Sequence, residues 1–509
     1  MKSYSKLWDW ILSPFTKDLP FFVLMLVLIG APNIYLHLNL NAYSYVLYLG
    51  MMYYVLAYLL SHLTSWIKPI SKWIKVLCLL YGLIYAVLNY FCISTYKCML
   101  SGDFIEIIAG TNPDEATEFF RTFVSWWDVI MFVGVIIIVP IVYCKLLHNK
   151  VILTWRKSIL PLSLLFISVA GLCHNFGMIT HEVKGGNNWN FKFDEIVDLR
   201  EHPTNPVLEE VDSIHPQNIV VILGESFSKN HSSLYGYDRE TNPLLNRMKE
   251  AGNLIVFDHV TAPAPSTTKA FKFLLTTFTL EDESKEKKWY EYTNVIEAFK
   301  SIGFQTTWIS CQNEKGMFDN LPSGYSRLCD SAIFDTRTEK PKYDDFLIDA
   351  YSPDTIETPA LIFYHLMGQH EGFSDRYPDE YCHFGPKNKK GLGSAKEAVI
   401  NDYDNATLFN DYVVSSIMDL YKEENAIILY FPDHGLDVCD TDSTYFGHAT
   451  ATPESQAHCK QIPFVVYVTY GFKDSHSSVV EKLNNRSKDE FCTDKLIYLL
   501  LDIAGYRLQ

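Results

Sequence analysis

Two groups of possible metal ligands each follow an apolar run of the sequence. Glu225 comes just after the run 218–223, and Asp433 and His434 come just after the run 426–431. Both runs are short and rich in β-branched residues, which is typical of buried parallel strands. Open α/β sheets build their sites past the carboxyl ends of such strands. One acidic pair in a loop is usually a solvated turn, but two groups at equivalent positions predict a shared metal site.

Three consecutive hydroxyl side chains, Ser266, Thr267 and Thr268, lie between these groups and precede the apolar run 271–275. A hydroxyl at a helix N-terminus is most often only an N-cap. It can also be a nucleophile that becomes phosphorylated, because the helix dipole and the free amides stabilise the added anion. A zinc ion held by the two ligand groups would accept such a hydroxyl and lower its pKa.

Two further histidines occupy comparable places. His370 follows the apolar run 360–366, and His448 lies 14 residues after His434. A lone loop histidine is in most cases a surface residue. Beside a metal site, these two could bind a second metal ion or a phosphate.

From residue 217 to 509, predicted strands alternate with predicted helices, which indicates an α/β domain with a mainly parallel sheet covered on both faces. The predicted strands are 218–223, 253–259, 304–310, 360–366, 426–431 and 462–469. The predicted helices are 242–251, 292–302 and 395–421.

The first third of the chain has the composition of a membrane domain. Uncharged apolar runs predict five spans within residues 1–174, two in 19–67 and one each in 76–96, 129–144 and 158–174. Basic residues lie between spans two and three and between spans four and five, whereas the loop between spans three and four is acidic. The positive-inside rule then places the N-terminus in the cytoplasm and everything after span five outside it. Residues 175–216 are polar and are expected to form a linker.

Charge is distributed unevenly between the two parts. Residues 1–174 carry a net charge of +4, so the rest of this −16 chain carries −20. An acidic domain of this kind argues against a nucleic-acid partner, because phosphate backbones need basic surfaces.

Several motifs, taken together, resemble the membrane phosphoethanolamine transferases of Gram-negative bacteria, within the alkaline phosphatase/sulfatase superfamily. Five predicted spans precede the domain. The matching motifs then follow in order: Gly224-Glu225-Ser226, Ser233 to Tyr237, Arg239 to Pro243, Met367 to His370, Arg376 to Pro378, Tyr403 to Asn405, Pro432 to Gly435, and Gly447-His448. This resemblance implies an alkaline phosphatase/sulfatase-like α/β domain behind a five-helix transmembrane domain.

The resemblance also implies roles for particular residues. Glu225, Asp433 and His434 would ligate zinc, with a threonine as fourth ligand and nucleophile. The remaining candidates would bind substrate: His370 and His448 the transferred phosphate or a second zinc, Asn313 and Lys315 the headgroup, and Glu115 the ethanolamine ammonium. A solvated loop charge is an equally good interpretation of Glu115.

The nucleophile is chosen by comparison with the family. Thr267 is preferred, because its distance to Leu274-Leu275-Thr276 fits the family's pattern of small and apolar residues after the nucleophile. Thr268 is the first alternative and Ser266 the second. Lipid A modifiers commonly flank this residue with a disulfide, but no cysteine occurs between residues 174 and 310. That departure favours a core sugar or another glycan as acceptor.

Six cysteines follow residue 174, and local pairs Cys311–Cys329 and Cys439–Cys459 are the preferred disulfides.

The expected reaction is a two-step transfer at the periplasmic face of the inner membrane. The threonine would take phosphoethanolamine from phosphatidylethanolamine, and a lipopolysaccharide acceptor, either a core sugar or lipid A, would then remove it. The added ammonium would reduce the attraction of the lipid for cationic peptides such as polymyxin. The alternatives are a phosphoglycerol transferase or another enzyme of the superfamily acting on a different envelope glycan, and a membrane-anchored binding protein. A sulfatase is disfavoured, because the Cys-or-Ser-X-Pro-X-Arg motif is absent around residues 262–271.

Overall fold

A central sheet of seven strands organises the carboxyl-terminal part of the protein. The computed structural model describes residues 2–34, 40–65, 67–96, 116–117, 120, 124, 126–148, 159–169, 203–212, 216–314, 321–338, 340–353, 359–387, 396–441, 446–448 and 452–509. The strands are β1 (Leu208–Glu210), β2 (Asn218–Gly224), β3 (Leu254–Val256), β4 (His259–Thr261), β5 (Gln305–Ser310), β6 (Ser331–Phe334), β7 (Ala360–His365), β8 (Ala426–Pro432), β9 (Asp437–Val438), β10 (Phe446–Gly447), β11 (Val465–Val468), β12 (Glu490–Cys492) and β13 (Tyr506–Leu508). The central sheet has the order β3-β11-β8-β2-β7-β5-β6.

The predicted mainly parallel sheet is confirmed. β2 pairs in parallel with β7 and β8, and β5 pairs in parallel with β7 and β6. β11 is antiparallel to both of its neighbours, β3 and β8. Every residue of β2, β7 and β8 is buried, which explains why these strands are continuous apolar runs without alternation.

Two strand predictions need correction. Residues 253–259 do not form one strand, because β3 and β4 are separated at Phe257 and Asp258 and pair in different sheets. β6 was not predicted. Its four residues lie at the edge of the sheet, and none of them is fully buried, so it lacks the apolar run that marks the central strands.

The register of the three central strands brings the candidate ligands to one edge of the sheet. Leu223 lies opposite both His365 and Phe431, and Gly224 lies opposite Pro432. The residues that follow these strands therefore emerge side by side.

Helices cover both faces of this sheet, as expected for parallel strands joined by crossovers. They are α7 (Pro243–Glu250), α8 (Thr267–Leu274), α9 (Val295–Ser301), α10 (Leu321–Ser326), α11 (Phe346–Asp349), α12 (Lys396–Leu420), α13 (Pro453–Lys460), α14 (Tyr470–Ser475), α15 (Ser477–Arg486) and α16 (Leu496–Ala504). The predicted helices 242–251, 292–302 and 395–421 correspond to α7, α9 and α12. α8 buries Phe271 and Leu274 in one of the two hydrophobic cores, whereas α12 contributes Val413 and Ile417 to the other.

The chain divides into two compact units, one of residues 1–104 with 124–191 and one of residues 105–123 with 192–509. The described helices of the first unit are α1 (Lys2–Lys17), α2 (Leu19–Ile34), α3 (Leu40–Thr64), α4 (Lys68–Tyr96), α5 (Trp126–His148) and α6 (Ile159–Val169). Within the described residues, Pro69–Ile93 is long and apolar enough to cross a membrane. A second such element exists if Lys6–Lys17 and Leu19–Ile29, which meet at 73°, count as one broken span. The five predicted spans are thus not confirmed, although helices occur in all five regions.

The expected disulfides are wrong. Cys311, Cys329 and Cys459 are thiols, so neither Cys311–Cys329 nor Cys439–Cys459 is formed. The thiol of Cys459 instead contacts the Gly447 carbonyl oxygen at 3.5 Å.

Candidate active site

Glu225, Asp433 and His434 converge at the carboxyl ends of β2 and β8. Their possible ligand atoms all lie within 4.8 Å of one another, and all three side chains are buried. His434 Nε2 is 3.1 Å from Glu225 Oε1 and 3.7 Å from Asp433 Oδ2. Three donors of this kind on adjacent strand ends are the arrangement predicted from the sequence.

A backbone contact fixes which ring nitrogen of His434 carries a proton in the neutral ring. Its Nδ1 lies 2.8 Å from the Gly435 carbonyl oxygen and must donate a proton there. In a neutral ring, Nε2 therefore presents a lone pair to Glu225 Oε1, and two lone pairs at that distance repel each other. A cation at this point, either a proton or a metal ion, removes the repulsion.

The pKa values of the three groups reflect the same concentration of negative charge. Burial would raise the pKa of Glu225, but the charge and hydrogen bond of His434 outweigh it and hold that pKa far below its usual range. Burial and the neighbouring Glu225 raise the pKa of Asp433 to about 7. Burial opposes the charged form of His434, yet Asp433 and Glu225 raise its pKa to about 9. Asp433 Oδ2 is buried without a hydrogen-bond partner among the described residues. This donor set fits a divalent cation.

Thr267 lies against this cluster. Its Oγ1 is 3.2 Å from Glu225 Oε2, 3.4 Å from Glu225 Oε1 and 3.3 Å from His434 Nε2. Thr267 is the first residue of α8, and Ser266 precedes it with extended backbone angles. The hydroxyl therefore meets the ligand cluster and the amino end of a helix at one point.

Backbone strain places Glu225 and the residue after it. Ser226 has φ 55°, a left-handed conformation that is costly for a residue with a Cβ atom. Its hydroxyl donates to Glu225 Oε1 at 2.9 Å. Tyr403 of α12 holds this turn, because its hydroxyl donates to the Ser226 carbonyl oxygen and accepts from the Ser228 amide, each at 2.7 Å.

The other predicted site residues are only partly brought to this point. The His448 ring lies 4.5 Å from the His434 ring, and burial lowers the pKa of His448 to about 3. His370 follows β7, and its charge acts on Glu225. Asn313 is half-buried, three residues past β5. Lys315 and Glu115 lie outside the described residues.

The loop Gly368–Gly372 brings residues that sequence reasoning missed. Gln369 is fully buried, and its backbone amide donates to the Glu225 carbonyl oxygen at 3.1 Å. Burial raises the pKa of Glu371 to about 7, against the charges of His370 and His434. His365, at the end of β7, is buried beside Phe271 of α8, and burial lowers its pKa to about 4. The positions of Gln369 and Glu371 depend on loop conformation, which their residue types did not indicate. His365 lies within a predicted strand, but it was not singled out as a site residue.

Comparison with known proteins agrees with this geometry. The family model described as "Sulfatase" matches residues 217–506, more than half of the chain. Phosphoethanolamine transferase EptC of Escherichia coli O18:K1:H7 (strain RS218 / NMEC) is 29% identical over 305 residues, covering 57% of this chain and 51% of the relative. Kdo(2)-lipid A phosphoethanolamine 7''-transferase of Salmonella typhimurium (strain LT2) is 25% identical over 279 residues, covering 53% of this chain and 48% of the relative. The chain thus spans about half the length of these curated relatives.

A solved structure shares the fold over nearly the whole chain. The integral membrane protein lipooligosaccharide phosphoethanolamine transferase A (EptA) from Neisseria meningitidis aligns with a TM-score of 0.65 and 16% identity, covering 98% of this chain and 95% of that protein. The family match includes β2, α8 and β8, the elements that carry Glu225, Thr267, Asp433 and His434. The chain therefore belongs to the sulfatase family, and its curated relatives include proteins named phosphoethanolamine transferases.

Proposed function

We propose that this protein transfers phosphoethanolamine from phosphatidylethanolamine to a lipopolysaccharide acceptor, a core sugar or lipid A, through a covalent intermediate on Thr267. One observation carries the proposal: the Thr267 hydroxyl lies 3.2 Å from Glu225 and 3.3 Å from His434 at the amino end of α8. A threonine held in this way is suited to nucleophilic attack on phosphorus. The names of the curated relatives support the choice of transferred group and acceptor class.

The chain's own residues account for most of the chemistry. Glu225 and His434 fix the orientation of Thr267 Oγ1, and the free amides of α8 face the phosphoryl oxygens of the bound group. In the first step the Thr267 oxygen bonds to phosphorus while the phosphorus–oxygen bond to diacylglycerol breaks. The hydroxyl proton ends on the released diacylglycerol. In the second step an oxygen of an acceptor hydroxyl or phosphate bonds to phosphorus while the bond between phosphorus and the Thr267 oxygen breaks. The proton lost by the acceptor restores the Thr267 hydroxyl.

Zinc is the proposed cofactor, held by Glu225, Asp433, His434 and Thr267. When bound, it would lower the pKa of the threonine hydroxyl and neutralise charge on a phosphoryl oxygen. His370 and His448 bind the transferred phosphate or a second zinc. Asn313, Lys315 and Glu115 are proposed to lie near the headgroup.

The proposed location is the bacterial inner membrane, with five spans and the second unit in the periplasm. α4 supports a lipid-facing role, because Trp73, Leu77 and Ile84 are exposed on its surface at 69%, 62% and 54%. Such an anchor holds the site near the lipid donor. The proposed domains are residues 1–174, a linker of 175–216 and a catalytic domain of 217–509.

The covalent intermediate provides the first test. Purified full-length protein incubated with phosphatidylethanolamine should carry phosphoethanolamine on the peptide containing Thr267, as seen by tandem mass spectrometry. Thr267→Ala should remove the adduct and lower transfer by at least about 10³-fold, because the nucleophile is lost. Thr268→Ala is the matched control and should retain both.

Each contrary outcome identifies a specific error. Undiminished transfer in Thr267→Ala would remove Thr267 from the mechanism, and an adduct lost only in Thr268→Ala would move the nucleophile by one residue. A phosphoglycerol adduct would replace the proposed donor. Mass spectrometry of lipopolysaccharide from cells with and without the protein then distinguishes a core acceptor from lipid A.

A further inference from the structure

The loop Gly368–Gly372 is held rigidly beside the ligand cluster. At its start, the amides of Met367 and Gly368 donate to the two carboxylate oxygens of Asp344, each at 2.8 Å. At its end, the Arg376 guanidinium donates to the carbonyl oxygens of His370 at 3.1 Å and Glu371 at 2.6 Å. A side chain on this loop is therefore presented from a fixed backbone, as a binding group requires.

Glu371 is the residue of this loop whose role the transfer chemistry leaves open. Of the carboxylates described around the site, Glu225 and Asp433 belong to the metal-type cluster. Both oxygens of Asp344 accept backbone amides. The Glu371 carboxylate is half-buried and makes no hydrogen bond or ion pair with a described residue. Two residues before it, the Gln369 backbone amide donates to the Glu225 carbonyl oxygen at 3.1 Å, so the loop that carries Glu371 lies against the ligand cluster.

The group to be transferred has two charged ends. Its phosphate belongs beside Thr267 and the amino end of α8, where the free amides and a cation held by the cluster would favour an anion. Its ammonium lies two carbon atoms beyond the phosphate oxygen and needs an anionic partner, since a partly buried charge is costly unless it is paired. Glu371, which is half-buried and adjacent in sequence to His370, is a carboxylate that can meet this need.

We propose that Glu371 binds the ammonium of the transferred phosphoethanolamine group and thereby selects an aminoalkyl phosphate over a neutral one. This inference rests on the proposed transfer reaction and adds the residue that sets its donor specificity. The carboxylate attracts the ammonium of a charged headgroup. A neutral headgroup would leave the half-buried carboxylate without a partner, which costs binding free energy. Both effects favour the aminoalkyl phosphate.

The experiment compares two donors that differ in one group. Full-length protein in detergent micelles is given phosphatidylethanolamine or phosphatidylpropanol, in which a methyl group replaces the ammonium, and diacylglycerol release is measured. Wild type should favour phosphatidylethanolamine in kcat/KM by about 10- to 100-fold, the size of one charge-assisted contact. Glu371→Gln should remove that preference by slowing only the charged donor, and Glu371→Asp should restore part of it. Glu380→Gln is the control, because it makes the same charge change at an exposed position nearby in the chain.

The possible outcomes distinguish an error in the role of Glu371 from an error in the proposed transfer reaction. Equal losses with both donors in Glu371→Gln, or an unchanged preference, would overturn the assignment of Glu371 while leaving the transfer reaction intact. If wild type releases diacylglycerol from neither lipid, the proposed transfer is wrong and the assignment falls with it. Thermal unfolding of each variant shows whether a loss comes from misfolding, and the Glu371→Asp result decides the question if Glu371→Gln does not fold.

Discussion

At the scale of single residues, the site combines two buried carboxylates with a histidine whose Nδ1 already donates a hydrogen bond to the backbone. Asp433 Oδ2 is buried without a hydrogen-bond partner among the described residues, and His434 Nδ1 donates to the Gly435 carbonyl oxygen. Both features leave donor atoms pointing at the same small volume. A protein pays for such an arrangement in stability unless a cation occupies it.

Zinc should therefore stabilise the folded protein. Adding zinc at about 100 times its dissociation constant should raise the free energy of unfolding by about 2.7 kcal/mol. Asp433→Asn should lower both this gain and the zinc content measured by elemental mass spectrometry. Asp238→Asn is the control, because it removes the charge of an exposed carboxylate outside the ligand cluster. It should change neither quantity. Equal zinc content in Asp433→Asn and wild type would argue against Asp433 as a ligand.

Between residue and element, Gly368 marks a close approach of two loops. It has φ 53°, and an added Cβ would lie 2.9 Å from both the amide nitrogen and the carbonyl oxygen of Glu225. Gly252 also has positive φ, 73°, but an added Cβ there would meet no atom within 4 Å. Comparing substitutions at these two glycines separates the free-energy cost of the left-handed backbone from the cost of displacing Glu225.

Gly368→Ala should accordingly destabilise the protein more than Gly252→Ala does. The control should lose about 1 kcal/mol of stability from its left-handed backbone alone. Gly368→Ala should lose more and also bind zinc more weakly, because the backbone of Glu225 must move. The two variants are compared by thermal unfolding and zinc content, and identical behaviour would show that Gly368 does not position Glu225.

At the scale of elements, a buried charge network fastens the segment before α7 to α12. Asp404 is fully buried and accepts from His231 Nδ1, the Tyr237 hydroxyl and Arg239, each at 2.8 Å. His231 Nε2 also faces Asp440 at 3.6 Å. Burial opposes the charged form of His231, but these carboxylates raise its pKa to about 9.

This network predicts a loss of stability at alkaline pH. Because the folded pKa of His231 lies above its unfolded value, its contribution is complete below about pH 6.5 and disappears as the pH rises through about 9. The titratable groups that face it include Asp404, Asp440, Tyr237 and Tyr403, and His458 acts through Asp440. The unfolding temperature should fall across this window in wild type and fall less in His231→Asn. Parallel pH profiles for the two proteins would contradict the assignment.

The elements were more predictable from sequence than the loops. β2, β7 and β8 are buried on both faces, so their apolar runs end within one residue of the observed strands. α12 was predicted nearly to its ends, since its apolar positions follow helical spacing over 25 residues. That Glu225, Asp433 and His434 lie close together could be predicted, because strand ends fix their positions. Gln369 and Glu371 could not, because their place depends on the turn between Gly368 and Gly372, where backbone conformation decides and residue pattern does not.

At the scale of the whole molecule, charge separates the chain into a basic first part and an acidic second part. If the second unit is periplasmic, alkaline phosphatase fused after Gln509 should be active and a green fluorescent protein at the same point should be dark. Fusions after Lys75, just before the predicted third span, should give the opposite pair of results. Activity of both phosphatase fusions would refute the proposed topology.

The free thiols of the second unit have a further consequence. Cys311, Cys329, Cys382, Cys459 and Cys492 are all unoxidised, and burial raises the pKa of Cys329 and Cys459 to about 12, which makes their thiolates scarce. Folding of this unit should therefore not require that these five thiols be paired. If the second unit is periplasmic as proposed, blocking periplasmic thiol oxidation should leave the abundance of this protein unchanged.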